Sequence, residues 1–182
     1  MDAGSRFLTD LRISILPEPG FTDHVTADEA QMRLEVAPTH WYSQDFTVEQ
    51  QSRRVAEVDV SWWCEKGELT IEGIRYQVYR ESWLRGRFVL ERDRSVIARA
   101  EKPSAFFRTY LIRYSDRDYT LEPRSAFRRA FVLRDGSRQI GSIEPTSAFT
   151  RGAMADLPDT WPLPVRAFVI WLTMIQWRRD RS

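Results

Sequence analysis

The chain has 182 residues, a size that suits one domain, and a hydrophobic content of 42% that can supply a sizeable core. Its single cysteine, Cys64, excludes an internal disulfide framework and points to a reducing compartment. The net charge of +1 hides an asymmetry: residues 1–72 carry 6 basic and 14 acidic side chains, residues 73–182 carry 21 and 12. An anionic partner would therefore suit the C-terminal part, unless the two parts neutralise each other within the fold.

In chain order, residues 1–38 read as an N-terminal arm, loosely packed or in part disordered. A short apolar patch at Leu11, Ile13, Ile15 and Leu16 is broken by Pro17, Pro19 and Gly20, and an acidic stretch follows. Asp10 and Arg12 interrupt the first apolar stretch, so no signal peptide is expected. From residue 39 the pattern becomes that of a single β domain running to residue 182. Phe46-Thr47-Val48, Val55 to Val60, Leu69-Thr70-Ile71 and Ile74 to Tyr79 alternate apolar and polar with period two, as half-buried strands do. Lys66-Gly67 and Glu72-Gly73 supply turn residues between them.

From Ser82 a unit repeats. Ser82-Trp83-Leu84-Arg85 is followed by Ser104-Ala105-Phe106-Phe107-Arg108, Ser125-Ala126-Phe127-Arg128-Arg129 and Ser147-Ala148-Phe149-Thr150-Arg151, at steps of 22, 21 and 22 residues. A fixed period marks one supersecondary unit used repeatedly. The first three units carry an apolar triplet (Phe88-Val89-Leu90, Tyr110-Leu111-Ile112, Phe131-Val132-Leu133), then a charged turn such as Arg134-Asp135-Gly136-Ser137, then a second run and an acid before a proline; in the fourth the triplet decays to Ala153-Met154-Ala155. Asp-Gly between apolar runs signals a hairpin, and proline ends a strand because it cannot donate to the ladder. About 22 residues is too short for a strand–helix–strand crossover, which needs roughly 30. The units are therefore consecutive hairpins, giving about ten strands between residues 45 and 151.

After Pro162-Leu163-Pro164 the pattern changes. Ala167 to Trp177 is free of formal charge and apolar on every face of a helical wheel. A helix over about residues 164–178 would be some 20 Å long, short of the roughly 30 Å hydrocarbon core, and must be buried all round. About ten to twelve antiparallel strands closing into a meander barrel would enclose it and leave no exposed edge. The expected core comprises Leu84, Phe106, Phe127 and Phe149 from the repeats, with Phe168, Trp171, Leu172 and Ile175 from the helix.

Meander hairpins from Ser82 to Arg151 followed by the apolar helix Val165–Trp177 resemble the superfamily of tubby C-terminal, phospholipid scramblase and LURP-one-related domains. The resemblance implies a barrel around a hydrophobic helix. It also implies a non-catalytic, cytoplasmic binding module, peripheral at a membrane surface and associated with anionic phospholipid headgroups. The alternative is a protein-interaction or scaffold domain without lipid binding.

The residues themselves point the same way without deciding it. No nucleophile elbow, phosphate-binding glycine loop or dinucleotide fingerprint occurs, and no cofactor, metal site or nucleic-acid partner is expected. Cys64, beside Trp62 and Trp63, reads as a buried inert thiol. Arg108, Arg129 and Arg151 share one repeat position, with Arg85, Arg87, Arg124 and Arg128 close by. If the hairpins stack in register, these residues could line one rim and bind an anion through their guanidinium forks. They could equally pair with Glu101, Glu122 and Glu144, which also recur once per unit. Trp41, Tyr42, Trp83 and Trp161 are candidate interfacial aromatics.

Overall fold

A computed structural model describes residues 33–40, 45–61, 65–82, 86–104, 107–125, 129–147 and 152–181. Twelve strands run in order: β1 (Leu34–Pro38), β2 (Phe46–Gln50), β3 (Arg53–Ser61), β4 (Lys66–Ile71), β5 (Ile74–Ser82), β6 (Arg87–Arg92), β7 (Ser95–Glu101), β8 (Tyr110–Tyr114), β9 (Arg117–Pro123), β10 (Phe131–Asp135), β11 (Arg138–Pro145) and β12 (Ala153–Asp156). One helix, α1 (Leu163–Arg179), follows them. Each strand pairs antiparallel with its neighbours in sequence, and β1 closes the barrel against β12 through Leu34↔Ala155 and Val36↔Ala153.

Two expectations are corrected. The barrel starts at Leu34, inside the stretch assigned to the arm, because β1 supplies the pairing partner that both β2 and β12 need. Ala153-Met154-Ala155, where the repeat had decayed, is a strand nonetheless: its small side chains lie at 0% exposure at Ala153 and Ala155, directly opposite β1. The helix runs from Leu163 to Arg179, one residue beyond each expected end.

The two ends of the barrel differ. At one end, successive strands meet in two-residue turns, and four of these place both residues at positive φ: Gln51 and Ser52, Glu72 and Gly73, Asp93 and Arg94, Ser115 and Asp116. Two consecutive left-handed residues are the mark of a type I′ turn, whose twist matches that of the flanking strands. At the other end the longer connections leave from β1, β3, β5, β7, β9 and β11; this corner end is where the Ser-Ala-Phe units fall. Backbone bonds tie its corners shut, for example Lys102 N–H to Gly86 C=O (3.0 Å) and Arg124 N–H to Ala130 C=O (2.8 Å).

The inward face of every strand and the apolar side chains of α1 from Val165 to Trp177 form one core. Phe168, Trp171, Leu172 and Ile175 are buried, as expected for a helix filling the lumen. Trp171 stacks on Phe168 and meets Phe88 edge-on at 5.8 Å. Its indole lies over Gly67 of β4, where a Cβ would stand 2.6 Å from the Asp59 carbonyl oxygen and 3.3 Å from the indole nitrogen. The helix enters at the turn end, with Pro164 in its first turn, and its last turn, Arg178 and Arg179, emerges at the corner end. Leu84, Phe106, Phe127 and Phe149 lie outside the described residues.

Candidate functional site at the corner end

Where α1 leaves the barrel, a layer of cations covers a layer of aromatic rings. The rings are inward-facing strand residues (Phe88 of β6, Tyr110 of β8, Phe131 of β10) together with Trp177 of the helix. Above Phe88 lie the guanidiniums of Arg179 and Arg80, 5.5 and 6.0 Å from its centroid. Lys102 lies over Tyr110 (5.9 Å), Arg108 over Phe131 (5.3 Å) and Arg129 over Trp177 (4.4 Å). Cations are drawn to the negative face of such rings, the more so when partly desolvated. The helix thus ends in a plug whose inner surface is apolar and whose outer surface is positive.

Polar contacts fix the plug. Trp177 donates its indole N–H to the Arg129 carbonyl (2.6 Å), joining helix to corner. Tyr110 and Lys102 both donate to Gln176 Oε1 (3.1 Å each), and Gln176 Nε2 donates to Asp180 Oδ1 (2.8 Å). Asp180 in turn pairs with Arg108 (2.8 Å). On the other side Glu65, just before β4, receives a two-pronged bond from Arg179, Nε to Oε1 at 2.8 Å and Nη2 to Oε2 at 2.7 Å, and a third bond from Arg80 at 3.1 Å. Arg178 approaches the same carboxylate at 3.7 Å.

Among the described residues, the side chains around this tip include Arg80, Lys102, Arg108, Arg129, Arg178 and Arg179, together with Glu65 and Asp180. The consequence shows in the titrating groups. Burial, followed by the neighbouring Arg179, pushes the Lys102 ammonium below the usual lysine value. Burial and then Arg181 pull the Arg129 guanidinium down in the same way. An anion placed here would relieve both.

Of the arginines singled out in the sequence, Arg108 and Arg129 come together at this plug. Arg87 stands apart, on the outer wall beside Arg99 and Arg113, 3.4 Å from Glu81. Arg85, Arg128 and Arg151 lie outside the described residues. Arg124 pairs with the repeated Glu144 (2.6 Å), the pairing that the structural alternative expected, whereas Glu122 takes a different partner, Arg134 (2.7 Å). Trp161 is not interfacial: it is buried at the turn end against Tyr119 and Tyr114, with centroids 4.7 and 5.4 Å away, because it caps the lumen where α1 enters. Trp41, Tyr42, Trp83 and Cys64 lie outside the described residues. Sequence reasoning missed Arg80, Lys102, Glu65 and the functional side of Arg178 and Arg179.

Among the described residues, no group of three or more His, Cys, Asp or Glu side chains could hold a metal ion, and no helix is long and apolar enough to cross a membrane. No family model, curated protein or solved structure matches the chain. The twelve-stranded barrel around a single helix is the architecture that the tubby and scramblase resemblance implies; the site must speak for the function.

Proposed function

We propose that the chain is a non-catalytic binding module of the tubby and scramblase type, cytoplasmic and peripheral, that meets an anionic phospholipid surface with its corner end. The observation that carries this reading is the cation layer at the helix tip beside Phe107, a large aromatic side chain 67% exposed and adjacent in sequence to Arg108. Guanidinium forks match phosphate oxygens, each basic side chain near an anionic leaflet contributes about 1 kcal/mol, and an exposed aromatic ring is suited to the headgroup region. The aromatic rings beneath hold the cations at the surface before any ligand arrives.

Co-sedimentation with vesicles tests it. The chain is expected to pellet with anionic vesicles at low salt, to stay in solution with zwitterionic ones, and to lose binding as salt screens the charges. Arg108→Glu with Arg129→Glu is expected to weaken binding at least tenfold. Absence of binding under every condition would overturn the reading in favour of a protein-interaction or scaffold domain. The feature favouring that alternative is Leu111, 47% exposed in a groove on the outer wall among Arg87, Arg99 and Arg113.

A further inference from the structure

Three guanidiniums converge on one carboxylate at the tip of the helix. Glu65 presents two oxygens and one negative charge to Arg80, Arg178 and Arg179. Glu65 stands there with φ of +48°, a left-handed conformation that non-glycine residues rarely adopt. The arginines, by contrast, do not depend on Glu65 for their position. Arg178 and Arg179 belong to the last turn of a helix locked in the lumen, and Arg80 and Arg179 both lie over the Phe88 ring. The cage is therefore preformed, and its floor is the Lys102–Gln176–Tyr110 network, whose lysine is pushed below its usual value by burial first and by Arg179 second.

We infer that Arg80, Arg178 and Arg179 form a phosphate-monoester site, and that Glu65 is a resident stand-in that a bound dianion displaces. A monoester brings three acceptor oxygens and a charge near −2 above its second pKa of about 6, which suits three forks better than one carboxylate does. Only the Glu65 side chain has to turn out, since the cage stays on the helix and on β5. The inference deepens the headgroup reading: it names the chemical group recognised and a carboxylate that competes with it.

The test titrates inorganic phosphate into the full chain at pH 7.5 and pH 5 by calorimetry. Glu65→Gln is expected to bind about tenfold more tightly than the parent chain, since the competing charge is gone, and binding is expected to weaken at pH 5 as the dianion is lost. Arg80→Gln in the parent chain is expected to weaken binding at least fivefold; this second variant decides the matter if Glu65→Gln does not fold. A Glu65→Gln chain that folds yet binds phosphate no better than the parent, or an Arg80→Gln chain that binds unchanged, overturns the site. Vesicles of matched charge separate the sources and the two readings. Preference for phosphatidic acid over phosphatidylserine places the monoester on a lipid. Equal binding to both, with no gain in Glu65→Gln, overturns the cage and leaves the surface reading standing. Phosphate binding that grows in Glu65→Gln without binding to any vesicle supports the cage and overturns the lipid reading.

Discussion

Asp59 shows what the outer wall does with charge. It stands opposite Glu68 across β3 and β4, Glu68 stands opposite Gln77, and Gln77 stands opposite Glu91, so one row across four strands holds three acids and a glutamine. Like charges directly opposite are destabilising. Burial first, then Asp45, Glu68 and Glu57, raise the Asp59 carboxyl above its ordinary value. The folded chain therefore holds more protons than the unfolded one between the two values, and stability falls as pH rises through that window. Asp59→Asn is expected to be the more stable protein at pH 7, with the difference vanishing once the pH drops below the ordinary carboxyl value near 3.8; denaturant titrations of both proteins across this range would check it. A deficit for Asp59→Asn at pH 7 would mean that the carboxylate serves a contact. At this scale the sequence was only partly legible. Arg108 and Arg129 could be singled out because the repeat gave them a common position. Arg80 and Glu65 could not, since Glu65 meets its partner Arg179 across 114 residues of chain, and only the threading of the helix brings them together.

Among the elements, hairpins were the most legible because their signal is local: a period-two run, a charged turn, a second run. Proline fell where expected, at the ends of β9 and β11. The exception was β1, whose five residues bury only Leu34 and Val36 and end in Pro38, too short an alternation to stand out from the preceding stretch. The tight turns carry an unexpected strain. Asp-Gly was the legible turn, yet Asp93-Arg94 and Ser115-Asp116 adopt left-handed backbone without any glycine. Arg94, at φ of +63°, is exposed. Arg94→Gly is expected to stabilise the barrel by about 0.5–1 kcal/mol, the relief of the left-handed strain less the extra freedom of the unfolded glycine. A melting temperature higher by roughly 1–4 °C would bear this out, and a lower one would show that the arginine side chain contributes at the turn.

For the whole molecule, the helix and the wall are parts of one core. An apolar helix with no polar face was legible as something enclosed; which strands would face which helical side was not, because side-chain packing in a closed barrel depends on stagger that no single segment encodes. Trp171 sits at the centre of that packing, between Phe88, Phe168 and the backbone of Gly67. Trp171→Ala is expected to cost about 3–5 kcal/mol in denaturant unfolding. It should also lower the stability of wall and helix together, as one transition seen by both far-ultraviolet circular dichroism and tryptophan fluorescence. A variant that unfolds at the parent's midpoint would contradict the enclosed helix.

The order of elements along the chain sets a timetable. The last contact of the barrel wall joins Leu34 to Ala155, and the segment that must occupy the lumen is synthesised only after every strand that will surround it. A nascent chain therefore spends the whole translation of residues 34–162 as a growing open sheet with two unpaired edges and an uncovered greasy concave side, the state most prone to pairing with another molecule. Closure by so distant a pairing is intrinsically slow. The expected consequence is a chain that aggregates more readily during synthesis when chaperones are depleted, a liability that the stability of the finished barrel would never reveal.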